Sequence, residues 1–361
     1  MKIIPSLILI LISNLLLAQT PEKVLFIGNS MTYFNDMPII FKDIAISKGK
    51  NVTVQVHAPG GTGFINHVSD NSLYNIVRNN TFDIVIMQPG TSESGGASSA
   101  IATTANRGLI IMDSIKKYSP CPKFFIYEIS NGIQSANNYA NYFVTQTRIK
   151  DSISKMADIM RVPFIPAGEC ARNHYTASPD LLLHNSYGDV HPNLNGSFLV
   201  AAAAFAAIYQ ENVTGSTSYS GVNPAIAQNF QQIADNIVLN NLSDWRINTY
   251  NLNADFNFIS NNFEATFTNN STNYDTLIWD FGDGSFSSLS NPTHTYLNNG
   301  NYNVTITATK NGCSVSKSKL VAISNLNINV NQLKDKITFF PNPFNDKITI
   351  NSENKIRALL I

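Results

Sequence analysis

Charged side chains make up only 13% of the 361 residues, 24 basic against 24 acidic, for a formal net charge of zero. Without a block of Lys and Arg, the chain lacks the electrostatic footprint that nucleic acid or an anionic membrane surface demands. Cysteine is scarce as well. Cys121, Cys170 and Cys313 are too few for a disulfide framework, which leaves Cys121 and Cys170 as either one pair or two buried thiols. Paired metal-ligand motifs are missing: Cys170, His174, His184 and His191 share one segment, but no Cys-x-x-Cys or His-Glu-x-x-His core accompanies them. No metal and no cofactor is therefore expected. Long apolar runs are also rare. Beyond the N-terminus only Phe198 to Tyr209 qualifies, and at about half the ~20 residues a membrane span needs it reads as a buried helix.

The first 18 residues have a basic start at Lys2, an apolar stretch from Ile3 to Leu17 and a small residue at Ala18. That is the layout of a secretion signal cut near Ala18-Gln19, so no membrane span is expected after cleavage and the mature chain is expected to be secreted or held at the cell surface. A chain of this length predicts more than one domain.

From residue 24 to about 210, short continuous apolar runs alternate with amphipathic stretches. Val24 to Ile27, Val52 to Val56, Ile84 to Met87, Phe124 to Tyr127 and Val162 to Ile165 read as strands covered on both faces. Pro38 to Ser47, Ala100 to Tyr118 and Tyr139 to Met160 read as helices between them. Such alternation predicts an α/β fold with a doubly wound parallel sheet, whose ligands sit beyond the carboxyl ends of the strands. Ser30, the His57-Ala58-Pro59-Gly60-Gly61 turn, Gln88-Pro89-Gly90-Thr91 and Glu128 fall on that rim. Glu128 could contact substrate, with a surface carboxylate as the default. After about residue 248 the texture changes to Asn, Thr and Ser with period-two alternation, as in Tyr302 to Ala308, an all-β signature.

Serine becomes a nucleophile when a base takes its proton, and histidine is the usual base. Ser30 follows a Gly28-Asn29 turn at the end of the first strand, where Gly28 is read as supplying backbone freedom, and His191 stands before the late Ala-rich helix. An acyl-transfer site also needs donors for an oxyanion: a glycine N–H of the Gly60-Gly61-Thr62-Gly63 turn, and Gln88 or Ser92 after the third strand. His57 and His67 flank that glycine turn and could line a pocket, with a solvated loop position expected for His67.

In this order, Gly28-Asn29-Ser30, a glycine turn, a polar turn and Asp189-Val190-His191-Pro192-Asn193, residues 22 to 210 resemble the SGNH (GDSL-type) hydrolase superfamily. The resemblance implies a flavodoxin-like sheet and ester hydrolysis, with Ser30 as nucleophile, His191 as base, and Ser30 N–H and Gly61 (or Gly60) N–H as oxyanion donors. Two positions depart from the family. Gly90-Thr91-Ser92-Glu93 stands in place of Gly-x-Asn-Asp, so Gln88, then Ser92, is expected as the third donor. The acid three residues before the histidine is replaced by Gly188. Either Asp189, two residues before, orients His191, or the site is a Ser-His dyad steadied by a backbone carbonyl.

Trp279-Asp280-Phe281-Gly282-Asp283-Gly284 followed by Asn291-Pro292-Thr293-His294-Thr295-Tyr296 resembles a PKD domain over residues 254–324. The resemblance implies a small β-sandwich serving as an extracellular spacer or a glycan- or protein-binding module. Its aspartates read as turn residues, with calcium binding as the alternative. Phe339-Phe340-Pro341-Asn342-Pro343-Phe344 resembles the start of the sorting domain used by the type IX secretion system, here partial over 333–361. The expected organisation is thus a signal at 1–18, a hydrolase-like domain at 19–247, the sandwich at 254–324 and the sorting segment. The implied function is removal of short acyl groups, acetyl foremost, from a carbohydrate or glycoconjugate. The alternative is a non-catalytic surface glycan-binding protein with a degenerate hydrolase domain.

Overall fold

The computed structural model of the protein describes residues 20–324 and two further strands at 337–340 and 349–352. The expected signal segment lies outside the described residues, as does most of the expected sorting segment. The chain divides into two compact units, 1–251 and 252–361. Among the described residues no helix is long and apolar enough to cross a membrane.

Five parallel strands form the sheet of the first unit: β1 (Glu22–Ile27), β2 (Val52–His57), β3 (Ile84–Met87), β4 (Lys123–Tyr127) and β5 (Phe164–Ile165). Val24, Leu25, Phe26 and Ile27 are all fully buried, and β3 is buried throughout. This explains why β1, β3, β4 and β5 read as apolar runs: helices cover both faces and leave no solvent side to alternate toward. β2, at the sheet edge, departs from the expectation of cover on both faces: only its two ends are buried and Val56 is 39% exposed. The helices are α1 (Ser30–Tyr33), α2 (Met37–Ser47), α3 (Phe64–His67), α4 (Asn71–Asn79), α5 (Thr91–Ser94), α6 (Ile101–Lys116), α7 (Tyr139–Met160), α8 (Ala167–Ala177), α9 (Leu194–Tyr209) and α10 (Pro224–Ala234). The apolar segment at 198–209 is the buried body of α9, packed against α2, α8 and α10. Its alanines, such as Ala201 to Ala204, let neighbouring backbones approach closely.

The strand order is β2-β1-β3-β4-β5, the flavodoxin-like doubly wound arrangement. The direction of winding reverses at β1, so the crevice that such sheets use for ligands opens between the carboxyl ends of β1 and β3. Ser30 begins the helix after β1, and Gln88 follows β3 directly. Cys170 is a buried free thiol, so it does not pair with Cys121; Cys121 is disulfide-bonded, so the two-thiol alternative does not hold for it either.

The second unit is antiparallel. β6 (Phe256–Asn261), β7 (Glu264–Asn269), β8 (Thr276–Asp280), β9 (Phe286–Ser287), β10 (Thr293–Thr295), β11 (Gly300–Lys310) and β12 (Cys313–Ile323) form sheets of order β10-β7-β6 and β12-β11-β8-β9. β13 (Ile337–Phe340) and β14 (Thr349–Ser352) pair with each other. Trp279, Phe256, Phe267, Val304 and Ile306 are fully buried between the sheets, and the Trp279 indole N–H donates to Leu289 O at 2.9 Å. Phe281 stacks on His294 with ring centroids 4.1 Å apart. Asp280 Oδ1 accepts from Gly282 N and Asp283 Oδ1 from Ser285 N, each at 2.9 Å, and Asp283 Oδ2 lies 2.7 Å from His294 Nε2. These carboxylates are engaged in turn and pair contacts. An α/β doubly wound sheet followed by a small β-sandwich is the fold of this protein.

Candidate active site

β1 ends in a turn whose geometry is fixed by crowding. Gly28 does not adopt a left-handed conformation, contrary to the expectation that it supplies backbone freedom. It is required because a Cβ there would collide with Thr32 Oγ1 and stand 2.7 Å from Gln88 Oε1. Asn29 follows as the N-cap of α1, its Oδ1 accepting from Met31 N at 2.9 Å and its Nδ2 donating to Thr62 O at 2.8 Å. Ser30 is therefore the first residue of α1, and among the described residues no acceptor takes its N–H.

His191 reaches Ser30 from the loop before α9. Its Nε2 lies 3.0 Å from Ser30 Oγ. On the other side of the ring, Nδ1 is 2.9 Å from Asp189 Oδ1, and the same oxygen accepts the His191 N–H at 2.9 Å. This closes a hairpin-like loop in which the carboxylate two residues before the histidine serves both its backbone and its ring. Gly188, in the position where the resembled family has its acid, has φ +84° and turns the chain so that Asp189 can fold back. The bond from His191 N–H, together with the imidazole, holds the Asp189 carboxyl below the usual carboxylate range. With Nδ1–H donating to that carboxylate, Nε2 is left with its lone pair toward the Ser30 hydroxyl.

Phe34 stacks on the imidazole at 4.2 Å between centroids, the planes 13° apart, and Tyr33 stacks on Phe34 at 5.6 Å. Asn35, in a left-handed conformation with φ 52°, donates through Nδ2 to Pro192 O at 2.9 Å and to Ser197 Oγ at 3.0 Å. Ser197 Oγ in turn donates to Phe34 O at 3.1 Å. The segment after the serine thus clasps the segment carrying the histidine. Asn193 completes the clasp from below as N-cap of α9, with Oδ1 accepting from Gly196 N and Nδ2 donating to Leu182 O and His184 O.

The rim residues expected as donors are placed differently from one another. Gly61 has φ +72° and is exposed; Thr62 N donates to Pro59 O across it, the pattern of a type II turn, and among the described residues neither the Gly60 nor the Gly61 N–H has an acceptor. Gln88 is fully buried, and its amide is committed beneath the turn: Oε1 accepts from Asn29 N at 3.0 Å and Thr32 Oγ1 at 3.1 Å, while Nε2 donates to Pro89 O. Its side chain supports the turn that precedes Ser30, with one Nε2–H already committed to Pro89 O. Ser92 is exposed on the first turn of α5.

Two further expectations are corrected, for His67 and Glu128. His67 is wholly buried rather than solvated in a loop, and burial lowers its pKa. Glu128 is wholly buried rather than a surface carboxylate; its Oε1 accepts from Gln146 Nε2 at 2.9 Å and its Oε2 from Glu169 N at 3.2 Å, and burial pushes its pKa up to about 8. His184 lies against Tyr175, whose hydroxyl is 2.6 Å from its Nδ1, and burial lowers its pKa to about 4.

Residues 257–323 match the family model of the PKD domain. Among solved structures, the chain is similar to a DUF4886 family protein from Bacteroides uniformis at 20% identity and TM-score 0.52, over 61% of this chain and 95% of that one. It is also similar to a putative GDSL-like lipase from Parabacteroides merdae at 13% identity and TM-score 0.41, over 50% and 93% of the two chains. The PKD1 domain of the Vibrio cholerae metalloprotease PrtV aligns at 27% identity and TM-score 0.19, over 20% of this chain and 95% of that domain. No curated protein matches the chain. The first of these structures shows a shared fold for the α/β unit.

Several residues of the site escaped the sequence reading. Glu93 is buried; its Oε2 accepts from Phe64 N at 2.8 Å and Gly90 N at 2.9 Å, and its Oε1 from Ile65 N at 3.1 Å, joining the turns after β2 and β3. Gly63 and Gly90 touch at this junction, where a Cβ on Gly63 would stand 2.8 Å from Gly90. The glycines were visible in sequence; the carboxylate that sits across them, 29 residues on from Phe64, had no local signal. Asn35 likewise looked like an ordinary loop residue.

Proposed function

We propose that the first unit is a serine esterase in which Ser30, His191 and Asp189 act as nucleophile, base and orienting acid. The observation that carries this reading is the continuous line from Ser30 Oγ to His191 Nε2 at 3.0 Å and from His191 Nδ1 to Asp189 Oδ1 at 2.9 Å. Ser30 Oγ attacks the carbonyl carbon of the ester as His191 Nε2 takes its proton. The tetrahedral oxyanion is met by the N–H groups of Ser30 and Gly61, each such donor worth about 3–4 kcal/mol of barrier. Collapse expels the alcohol, which receives the proton from His191 and leaves an acyl group on Ser30. A water molecule, deprotonated by His191, then releases the acid.

The substrate proposed is a short acyl ester, acetyl foremost, on a carbohydrate or glycoconjugate. Support comes from the open rim: Ser30 and His191 are half-buried at the surface, Tyr33 and Tyr187 expose 42% and 41% of their surface, and aromatic faces of that kind suit the apolar faces of sugar rings. The PKD domain fits a glycan- or surface-contacting role on a secreted or cell-surface protein. Hydrolysis of a chromogenic acetate ester by the wild type and by Ser30→Ala tests the reading. A loss of at least about 10³-fold in the variant is expected. Equal rates, or no hydrolysis of acetylated polysaccharides by either protein, would instead support a glycan-binding unit without catalysis.

A further inference from the structure

Three side chains that this chemistry does not use converge behind the nucleophile turn. His57 closes β2, His67 ends α3 and Asp70 is the N-cap of α4. One donor atom from each lies within 4.8 Å of the other two, and His57 Nε2 is 2.6 Å from Asp70 Oδ2.

The tautomer of His67 is fixed by its surroundings. Its Nε2 lies 3.0 Å from Gly28 O and 3.2 Å from Thr62 Oγ1. A carbonyl oxygen can only accept, so the ring proton belongs to Nε2. Nδ1 is then a bare lone pair on a side chain with 0% exposure, and among the described residues no donor reaches it. A buried histidine with an unsatisfied ring nitrogen, clustered with a carboxylate and a second imidazole, is a feature that calls for a ligand.

We propose that His57, His67 and Asp70 bind one divalent transition-metal ion, with Zn²⁺ the best chemical match. Two imidazole nitrogens and one carboxylate oxygen are a common zinc ligand set, and three protein ligands leave a fourth position for water. Ligand atoms around tetrahedral Zn²⁺ stand about 3.3 Å apart, given metal–ligand distances near 2.0–2.1 Å. His67 is locked by its Nε2 contacts, so the adjustment falls to the partly exposed Asp70 and to His57, whose 2.6 Å contact must widen to admit the ion. Coordination through His57 Nε2 requires the ring proton to be carried on Nδ1. The His67 Nε2–H to Gly28 O contact is the outer partner that orients a metal-bound imidazole. It ties the ion to the residue two before Ser30, so occupancy stiffens the turn that carries the nucleophile.

The test is Zn²⁺ binding by the full chain, stripped with chelator and titrated in competition with a chromogenic zinc indicator. One equivalent is expected. Asp70→Asn, which keeps the capping group of α4, and His57→Gln are each expected to weaken binding at least tenfold. Ser30→Ala should bind as the wild type does, so the outcome is independent of whether the protein hydrolyses esters. As a second measurement, Co²⁺ in the wild type should give the visible absorption of a four-coordinate site, and Zn²⁺ should raise Tm in the wild type and not in Asp70→Asn. No bound equivalent, or binding that both variants leave unchanged, overturns the proposal.

Discussion

Single side chains decide the geometry around Ser30, and not always for the reason their type suggests. Gly28 stands out in the sequence, yet its role is to make room for Thr32 and Gln88 and not to adopt an unusual backbone. Gln88 was legible as a polar group at a strand end, whereas its burial beneath Asn29 depends on a partner 59 residues away. Asp189 could be read as a candidate, but only the turn at Gly188 shows how a carboxylate two residues from the histidine reaches Nδ1. Asp189→Asn keeps an acceptor and removes the charge; kcat on a chromogenic acetate ester should fall about 10²- to 10⁴-fold. Because the His191 N–H bond lowers the Asp189 pKa in the fold, its orienting charge persists as pH falls through the ordinary carboxylate range. It is lost only as pH falls through the folded value. Glu128 behaves in the opposite sense. Burial raises its pKa from 4.5 to about 8, so the folded state keeps a proton that the unfolded chain has lost in that window. The stabilising contribution is complete below about 4.5 and disappears as pH rises toward 8, with a slope of at most about 1.4 kcal/mol per pH unit. Glu128→Gln should flatten the decline of Tm between pH 5 and pH 8 relative to the wild type.

Elements come together here through capped ends. β1, β3, β4 and β5 were readable because double burial produces apolar runs, and α7 and α9 because their buried faces are long; β2, at the half-exposed sheet edge, was readable from its three valines alone. The clasp between α1 and α9 was not, since it consists of one asparagine in a left-handed conformation and a serine 162 residues later. Asn35→Gly retains the backbone conformation while removing the bonds to Pro192 O and Ser197 Oγ. It should lower kcat about tenfold with KM little changed, because the loss is in placement of His191 and not in substrate contact. A change in KM alone would assign Asn35 to binding instead.

On the scale of the whole molecule, each unit has its own buried core. The change from helical to period-two texture near residue 248 was legible because the two folds bury their faces with different periods. Trp279→Ala should cost the sandwich about 3–5 kcal/mol and leave hydrolysis of a small soluble ester unchanged; a parallel loss of that activity would place the second unit in the chemistry. The central claim concerns Ser30 as a nucleophile prepared by His191. The most direct measurement is covalent modification by a fluorophosphonate, followed by mass spectrometry of the peptide that contains Ser30. One adduct on Ser30 is predicted, formed at least about 10²-fold more slowly in His191→Gln and absent in Ser30→Ala. A Ser30 that stays unmodified in the wild type, or reacts equally fast without His191, would contradict the account.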